Sequence, residues 1–561
     1  YRWSTRFIFM EEHEAVGALK RYKLKWQQKV RGFWAQVFKS QKGTINTDAL
    51  DMQKEAETAM SEAQSGVVRY GYMTPVVVLQ NTDLNKINEQ ARMIKREIER
   101  KGFAARIETL NTIEAWLGAL PGHTYPNIRR PLVHTLNLAD LLPLNGVWSG
   151  ATSCPCPFYP PQSPPLLQGV TTGATPFRLN LHVGDVGHTL VFGPTGAGKS
   201  TLLAALIAQA QRYAGEGADG VFRPARITAF DKGRSLYPIT KATGGAHFDI
   251  GADQSEITLA PLSELDSEQD RLWAAEWLAT CYELQTGSAP SPSQQAALHR
   301  AVKLLSEAPK NARSMTEFCT TVQDRDIRNA LDAYTMQGAL GHLLDGQHDA
   351  LKDASLTTFE TDELMRLGDK FALPVLLYLF RFFVRNMYEQ GEPAFLVLDE
   401  AWVMLGHPTF RDRIRMWLKE LRKKNCAVIM ATQSLSDAAR SGIFDTLVEQ
   451  CPTKLLLPNP EADLRGTQEH PGPADLYRMF GLNDEEIALL KGAEKKRQYY
   501  YRSPMGRRMF ELGLGPLALA FVGISDTDAL RAMKRCEANA GENWPLAWLN
   551  EKDVNYEQYL A

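Results

Sequence analysis

Gly193-Pro194-Thr195-Gly196-Ala197-Gly198-Lys199-Ser200 decides the fold. It fits G-x-x-x-x-G-K-[ST] at every fixed position. Its surroundings fit too, because Thr189-Leu190-Val191-Phe192 before it is a β-prone apolar run and Thr201 to Arg212 after it is helix-forming. Glycines at these positions let the backbone wrap phosphate groups with its N–H bonds, at the positive end of the following helix. Lys199 is expected to reach the β- and γ-phosphates and the Ser200 hydroxyl to ligate Mg²⁺, with Gly193 through Thr201 forming the nucleotide cradle.

Outward from this loop, short apolar runs alternate with long helical ones. Strands are expected at His188–Gly193, Ala225–Asp231, Ala394–Asp399, Ala427–Thr432, Lys454–Leu457 and Ala518–Val522. Buried strands separated by helices imply an α/β fold with a parallel sheet covered on both faces. A helical insertion is expected at about 267–345, where Trp273, Trp277, Cys281 and Leu284 share one helical face. Within it Ser314-x-x-Glu317 has the spacing of a capping box.

Several strand ends carry polar groups, and parallel sheets bind ligands at that edge. Phe395-Leu396-Val397-Leu398 is followed by Asp399, a candidate Mg²⁺ ligand, and Glu400, a candidate general base. Gln433, after Ala427–Thr432, is placed to hold the attacking water, or is a plain turn residue. Asp231 closes its own run and would either orient water or Mg²⁺ or fix the loop Lys232-Gly233-Arg234-Ser235. Phe410 to Asn425 reads as an amphipathic helix with Phe410, Ile414, Trp417, Leu418 and Leu421 as its stripe. Most of its cations are a solvated face, while Arg422 is a candidate finger reaching a neighbouring subunit's ATP. Lys495 to Arg508, with Tyr499-Tyr500-Tyr501 inside it, reads either as a stacking surface for single-stranded nucleic acid or as an edge or partner-facing strand.

The chain has 561 residues, enough for three or four domains at about 150 residues each. Its 44% hydrophobic content excludes wholesale disorder. With 63 Lys and Arg against 65 Asp and Glu, the net charge of −2 argues against a protein that coats nucleic acid along its whole surface. The longest apolar run, Phe371 to Phe380, contains Pro374 and stops at Arg381, so a membrane-spanning helix is not expected. The seven cysteines suit reduced thiols, and Cys154/Cys156, in a proline-rich loop, reads as a surface loop rather than a metal site. Residues 1–145 are expected to be an α+β interaction domain, incomplete at its start, with strands in Gly66–Gln80 and Phe103–Leu110 and helices at Asn85–Lys101 and Ile113–Leu120. A Pro/Gly-rich connector is expected at 146–180, the ATPase domain at 181–535 and a tail at 536–561.

His188–Phe192 with its loop, Phe230-Asp231-Lys232-Gly233-Arg234-Ser235, Leu398-Asp399-Glu400-Ala401-Trp402, Leu421-Arg422-Lys423-Lys424-Asn425 and Ala431-Thr432-Gln433-Ser434 occur in this order. Leu455-Leu456-Leu457-Pro458-Asn459-Pro460 and Leu514-Gly515-Pro516 follow. Together they resemble the transport ATPases of type IV secretion and conjugation systems, the TrbE/CagE family whose founding member is the fourth VirB protein. The likeness spans about 180 to 535 and is loose before that. It implies a RecA-like P-loop motor, ATP and Mg²⁺ as cofactors, and a homo-oligomer, a hexamer or dimers thereof. It also implies work at the cytoplasmic face of the bacterial inner membrane, beside inner-membrane subunits, a second secretion ATPase and a coupling protein. Energising substrate transfer and pilus assembly is the function expected. The alternative is a DNA-pumping translocase or coupling protein on the same motor core.

Overall fold

The computed structural model describes residues 2–30, 47–123, 129–142, 148–171, 175–216, 220–251, 257–351, 354–388, 392–400, 408–467, 470–524 and 526–559. They form two compact units, 1–147 and 148–561.

In the first unit, β1 (Arg2–Phe9) pairs antiparallel with β2 (Tyr70–Val78), and β2 pairs with the short β3 (Leu132–His134). Helices Glu12–Val30 and Thr47–Gln64 pack on each other, and Ala15, Leu19, Ala63, Val68 and Tyr70 form the small core. Helices Leu84–Arg100 and Thr112–Gly118 stand where helical spacing put them. The strand expected at Phe103–Leu110 is absent: that segment is irregular and its Phe103 and Leu110 are exposed. The N-terminal run Arg2–Phe9 takes the place beside β2 instead.

The second unit is built on one mixed sheet of eleven strands. Its strands are β4 (Leu167–Val170), β5 (Pro176–Leu179), β6 (Thr189–Phe192), β9 (Arg226–Asp231), β10 (Ala246–Asp249), β11 (Leu356–Glu360), β12 (Ala394–Leu398), β13 (Cys426–Thr432), β14 (Thr453–Leu456), β15 (Gln498–Ser503) and β16 (Gly506–Glu511). A separate ribbon of β7 (Ala214–Glu216) and β8 (Phe222–Pro224) completes the count. The order is β10-β11-β9-β12-β13-β6-β14-β15-β16-β4-β5, parallel from β10 through β14 and antiparallel beyond.

Alternation along the central strands divides two cores. Leu190, Phe192, Phe230, Leu396, Leu398, Val428 and Met430 face one layer, which holds Trp277, Leu278, Leu376 and Phe380. Val191, Ile227, Ala229, Phe395, Val397, Ile429 and Ala431 face the other, with Leu202, Leu203 and Leu206 of the helix after the phosphate loop. Both faces are apolar because side chains of a strand alternate and each face carries a helical layer.

The inserted helical block is present, from Glu268–Thr286 to Gly341–Leu344. Ser314 caps its helix by accepting from Glu317 N, while full reciprocal boxes form at Ser291/Gln294 and Asn483/Glu486. The helix expected at Phe410–Asn425 spans Pro408–Leu421, buries Ile414, Trp417, Leu418 and Leu421, and ends in a 3₁₀ turn at Arg422–Lys424. The side chain of Phe410, like Ala401 and Trp402, lies outside the described residues. Among the described residues no helix is long and apolar enough to cross a membrane.

Four expectations are corrected. Ala518–Val522 is helical, inside Pro516–Val522, because Pro516 occupies the first turn and a short apolar run suits either buried state. The expected connector is no spacer: Cys154, Cys156, Tyr159, Leu166 and Leu167 are buried, and β4 and β5 lie at the sheet's edge. The expected tail folds as part of a helical layer, with Met533, Trp544, Trp548 and Leu549 packed on Tyr237 and Ala520, and Trp548 Nε1 donating to Ala520 O at 2.8 Å. Tyr499, Tyr500 and Tyr501 are buried in β15, between β14 and β16, so their rings offer no surface for nucleic-acid bases. Burial also raises the Cys156 thiol to about 12, keeping it protonated inside the core.

Candidate active site

The phosphate loop is held by its neighbours. Strand β6 is buried along its length and delivers Gly193, whose N–H donates to Thr432 O at 3.0 Å. A Cβ at Gly193 would lie 2.5 Å from Leu457 Cβ, so the position has room for glycine alone. Gly198 has φ +104° and stands at the start of helix Lys199–Ala210. Behind the loop, Lys496 N donates to Ala197 O at 3.0 Å and Tyr499 Oη to Gly198 O at 3.3 Å. Sequence reasoning did not see this bracing by the segment before β15.

Lys199 is the electrostatic centre. It is 7% exposed, with Nζ 2.9 Å from Asp399 Oδ1 and paired also with Glu400 Oε1. Strand β12, wholly apolar and buried, carries Asp399 to the carboxyl edge, where its N–H donates to Phe230 O at 2.9 Å. Burial raises the Asp399 carboxyl above its ordinary range, with the Lys199 ammonium opposing. Glu400 adopts φ +54°, a left-handed conformation costly for a residue with a side chain. Gln433, after β13, accepts a hydrogen bond from Thr195 Oγ1 through Oε1, tying the tip of the phosphate loop to the next strand.

A cleft of about 390 Å³ brings these groups together, lined by Lys199, Ser200, Lys232, Gly233, Asp362, Asp399, Glu400 and Gln433. Asp231 is not on its wall. Its Oδ1 accepts from Ser235 Oγ at 2.8 Å and its Oδ2 from Leu236 N at 2.7 Å, so it fixes the loop that follows it. Burial, with Asp399 and Glu360 nearby, pushes its carboxyl up to about 7. Of the two roles read for Asp231, the geometry matches the structural one. Arg422 precedes β13 and therefore stands at the opposite, amino edge of the sheet, where Nε lies 3.3 Å from Asp185 Oδ2. Within one chain it does not line the cleft.

Glu360 and Lys232 carried no role in the sequence. Glu360 ends β11, a Thr-rich strand whose only signal is a β-branched run closed by an acid. The donor set suits a magnesium nucleotide: a hydroxyl and carboxylates as hard oxygen ligands, a lysine, and a glycine-lined turn of backbone N–H groups. Among the described residues no cluster of three or more His, Cys, Asp or Glu makes an all-protein metal cage.

The model of the CagE, TrbE, VirB family, component of type IV transporter system, matches residues 1–129, and that of the TraG P-loop domain matches 311–500. A "Probable conjugal transfer protein TrbE" of Sinorhizobium fredii is 50% identical over 98% of this chain and 80% of its own. This chain belongs to the CagE, TrbE, VirB family. Conjugal transfer protein TrbE of Rhizobium radiobacter is 48% identical over the whole of this chain and 66% of its own length. A solved VirB4 of Thermoanaerobacter pseudethanolicus covers 63% of this chain and 97% of its own at 18% identity and TM-score 0.49, too loose a likeness to bear on function. As a CagE/TrbE/VirB member this chain is a type IV secretion and conjugation ATPase with a RecA-like P-loop fold. The N-terminal stretch, loosest in the sequence resemblance, is where the family model matches.

Proposed function

We propose that the cleft hydrolyses ATP, with Mg²⁺, to drive substrate transfer and pilus assembly. The observation that carries this reading is the contact of Lys199 with both Asp399 and Glu400 at the edge where β6 and β12 end. Backbone N–H groups from Gly193 to Thr201 hold the phosphates, and Pro194, Thr195 and Ala197 give the loop its shape. When nucleotide enters, Lys199 exchanges its carboxylate partners for the β- and γ-phosphates. That frees Asp399, with Ser200, to hold Mg²⁺, which screens the charge between the phosphates. Glu400 then takes a proton from the attacking water, and Gln433 orients that water.

Assembly belongs to the same proposal. The protein works as a homo-oligomer on the cytoplasmic face of the bacterial inner membrane, with inner-membrane subunits, a second secretion ATPase and a coupling protein. Arg422 acts, if anywhere, on a neighbouring subunit's nucleotide. The DNA-pump alternative loses its proposed stacking surface, because Tyr499, Tyr500 and Tyr501 are buried. Phosphate release by the full chain, with and without single-stranded DNA, tests the reading. Turnover that rises with protein concentration, ignores DNA and vanishes in Lys199→Ala is expected. Turnover persisting in that variant would remove the site.

A further inference from the structure

We propose that Lys232 contacts the terminal phosphate of ATP in this cleft and that Glu360 is the residue that positions it. This rests on the ATP-site reading above and adds a residue to it.

The loop from Asp231 to Leu236 is held far more firmly than a surface turn needs. Gly233 and Arg234 both lie in the left-handed region, at φ +94° and +58°. The Glu360 carboxylate, 1% exposed, closes that turn by accepting from Gly233 N at 3.1 Å and Arg234 N at 2.5 Å, and it accepts from Asp362 N at 3.0 Å. From the other side Asp231 accepts from Ser235 Oγ and Leu236 N, while its own carbonyl accepts from Thr361 N at 3.0 Å. Two buried carboxylates from neighbouring strands thus fix a short loop whose tip rims the nucleotide cleft.

That loop carries two cations with different fates. The Arg234 guanidinium is committed to Asp249, Nε to Oδ1 at 3.0 Å. Lys232 is exposed, lines the cleft, and makes no hydrogen bond or ion pair among the described residues. It does not fold onto Asp362, Asp399 or Glu400, which line the same space. A rigid mount for an unpaired ammonium, facing a phosphate-binding loop, suits an anionic ligand.

Sheet order says which phosphate. The cradle follows β6, Gln433 follows β13, Asp399 and Glu400 follow β12, and Lys232 follows β9, each one strand further along the edge. A triphosphate anchored at β6 projects its terminal group toward β12 and β9, so Lys232 meets the γ-phosphate, which ADP lacks. Glu360 acts through the loop and touches no ligand.

The test is the affinity of the full-length chain for fluorescent ATPγS and fluorescent ADP, read by anisotropy for wild type, Lys232→Ala, Lys232→Arg, Glu360→Gln and Lys232→Ala/Glu360→Gln. Lys232→Ala is expected to weaken ATPγS about tenfold, the scale of one charged hydrogen bond, with ADP affinity unchanged. Lys232→Arg restores most of the loss. Glu360→Gln shifts the ATPγS/ADP ratio in the same direction, and the double variant adds nothing to the Lys232→Ala ratio, as expected of a residue that acts only by positioning. An unchanged ratio in Lys232→Ala overturns the assignment, and a ratio that falls further in the double variant overturns the role of Glu360. Lys199→Ala is the control for the site itself. If it also keeps wild-type affinity, the ATP-site reading has failed; if it alone loses binding, only the Lys232 proposal has.

Discussion

A methyl group at Gly198 has nowhere to go. The backbone is at φ +104°, and a Cβ would lie 2.7 Å from Tyr499 Oη and 3.1 Å from Lys496 Cα. Gly198→Ala is therefore expected to abolish nucleotide binding, measured by anisotropy, because the loop can accept the methyl only by leaving its brace. Lys199→Ala acts differently: it leaves Asp399 buried beside Glu400 without their shared cation, yet these two acids can protonate or take up water, so the fold survives and turnover does not. Thermal melting alongside phosphate release separates the two effects. At this scale much of the cleft was readable. Gly193–Ser200, Asp399, Glu400 and Gln433 each sit at a strand end that local pattern marks, and Lys199, Ser200, Asp399, Glu400 and Gln433 line one cleft. Glu360 was not readable, since its partners Gly233 and Arg234 lie 127 and 126 residues away.

Among the elements, helix Asp369–Tyr388 shows how the fold absorbs a local conflict. Pro374 lacks the N–H that would bond Lys370 O, and the buried Tyr334 hydroxyl donates to that carbonyl at 2.8 Å instead. Trp277 Nε1 donates to Pro374 O at 3.0 Å, which ties the inserted helical block to the same helix. Tyr334→Phe is expected to lower stability by about 1–3 kcal/mol in chemical denaturation while leaving turnover near wild type. The elements that sequence reading missed share one cause. Ala246–Asp249 and Leu356–Glu360 are short and partly polar, and become strands only because β9 offers an edge to pair with. Ala518–Val522 carries a strand-like composition but is helical, packed with Tyr237 and the C-terminal helices. The parallel strands β6, β9, β12, β13 and β14 were legible because burial on both faces leaves them almost purely apolar.

Over the whole molecule, acid stability is set by histidines buried neutral. His188 is locked between Val428 N, which donates to Nδ1 at 3.1 Å, and Leu418 O, 2.9 Å from Nε2. Burial lowers its pKa to about 4 and that of His182 to about 3. The unfolded chain binds these protons near pH 6.5 and the folded chain does not, so stability falls as pH drops from 6.5 toward 4. Each such group contributes a slope of about 1.4 kcal/mol per pH unit in that window. His182→Phe is expected to flatten the loss of melting temperature between pH 6.5 and 4, and an unchanged slope would contradict the assignment. The cleft, for its part, gathers strand ends from well-separated stretches of the second unit. Glu400→Gln keeps its shape and removes the base, so the most direct measurement is ATP binding and phosphate release in that variant side by side. ATP held at wild-type affinity with turnover reduced at least about a hundredfold is the predicted result. Turnover equal to wild type would show that hydrolysis, and with it the proposed motor, does not run through this cleft as described.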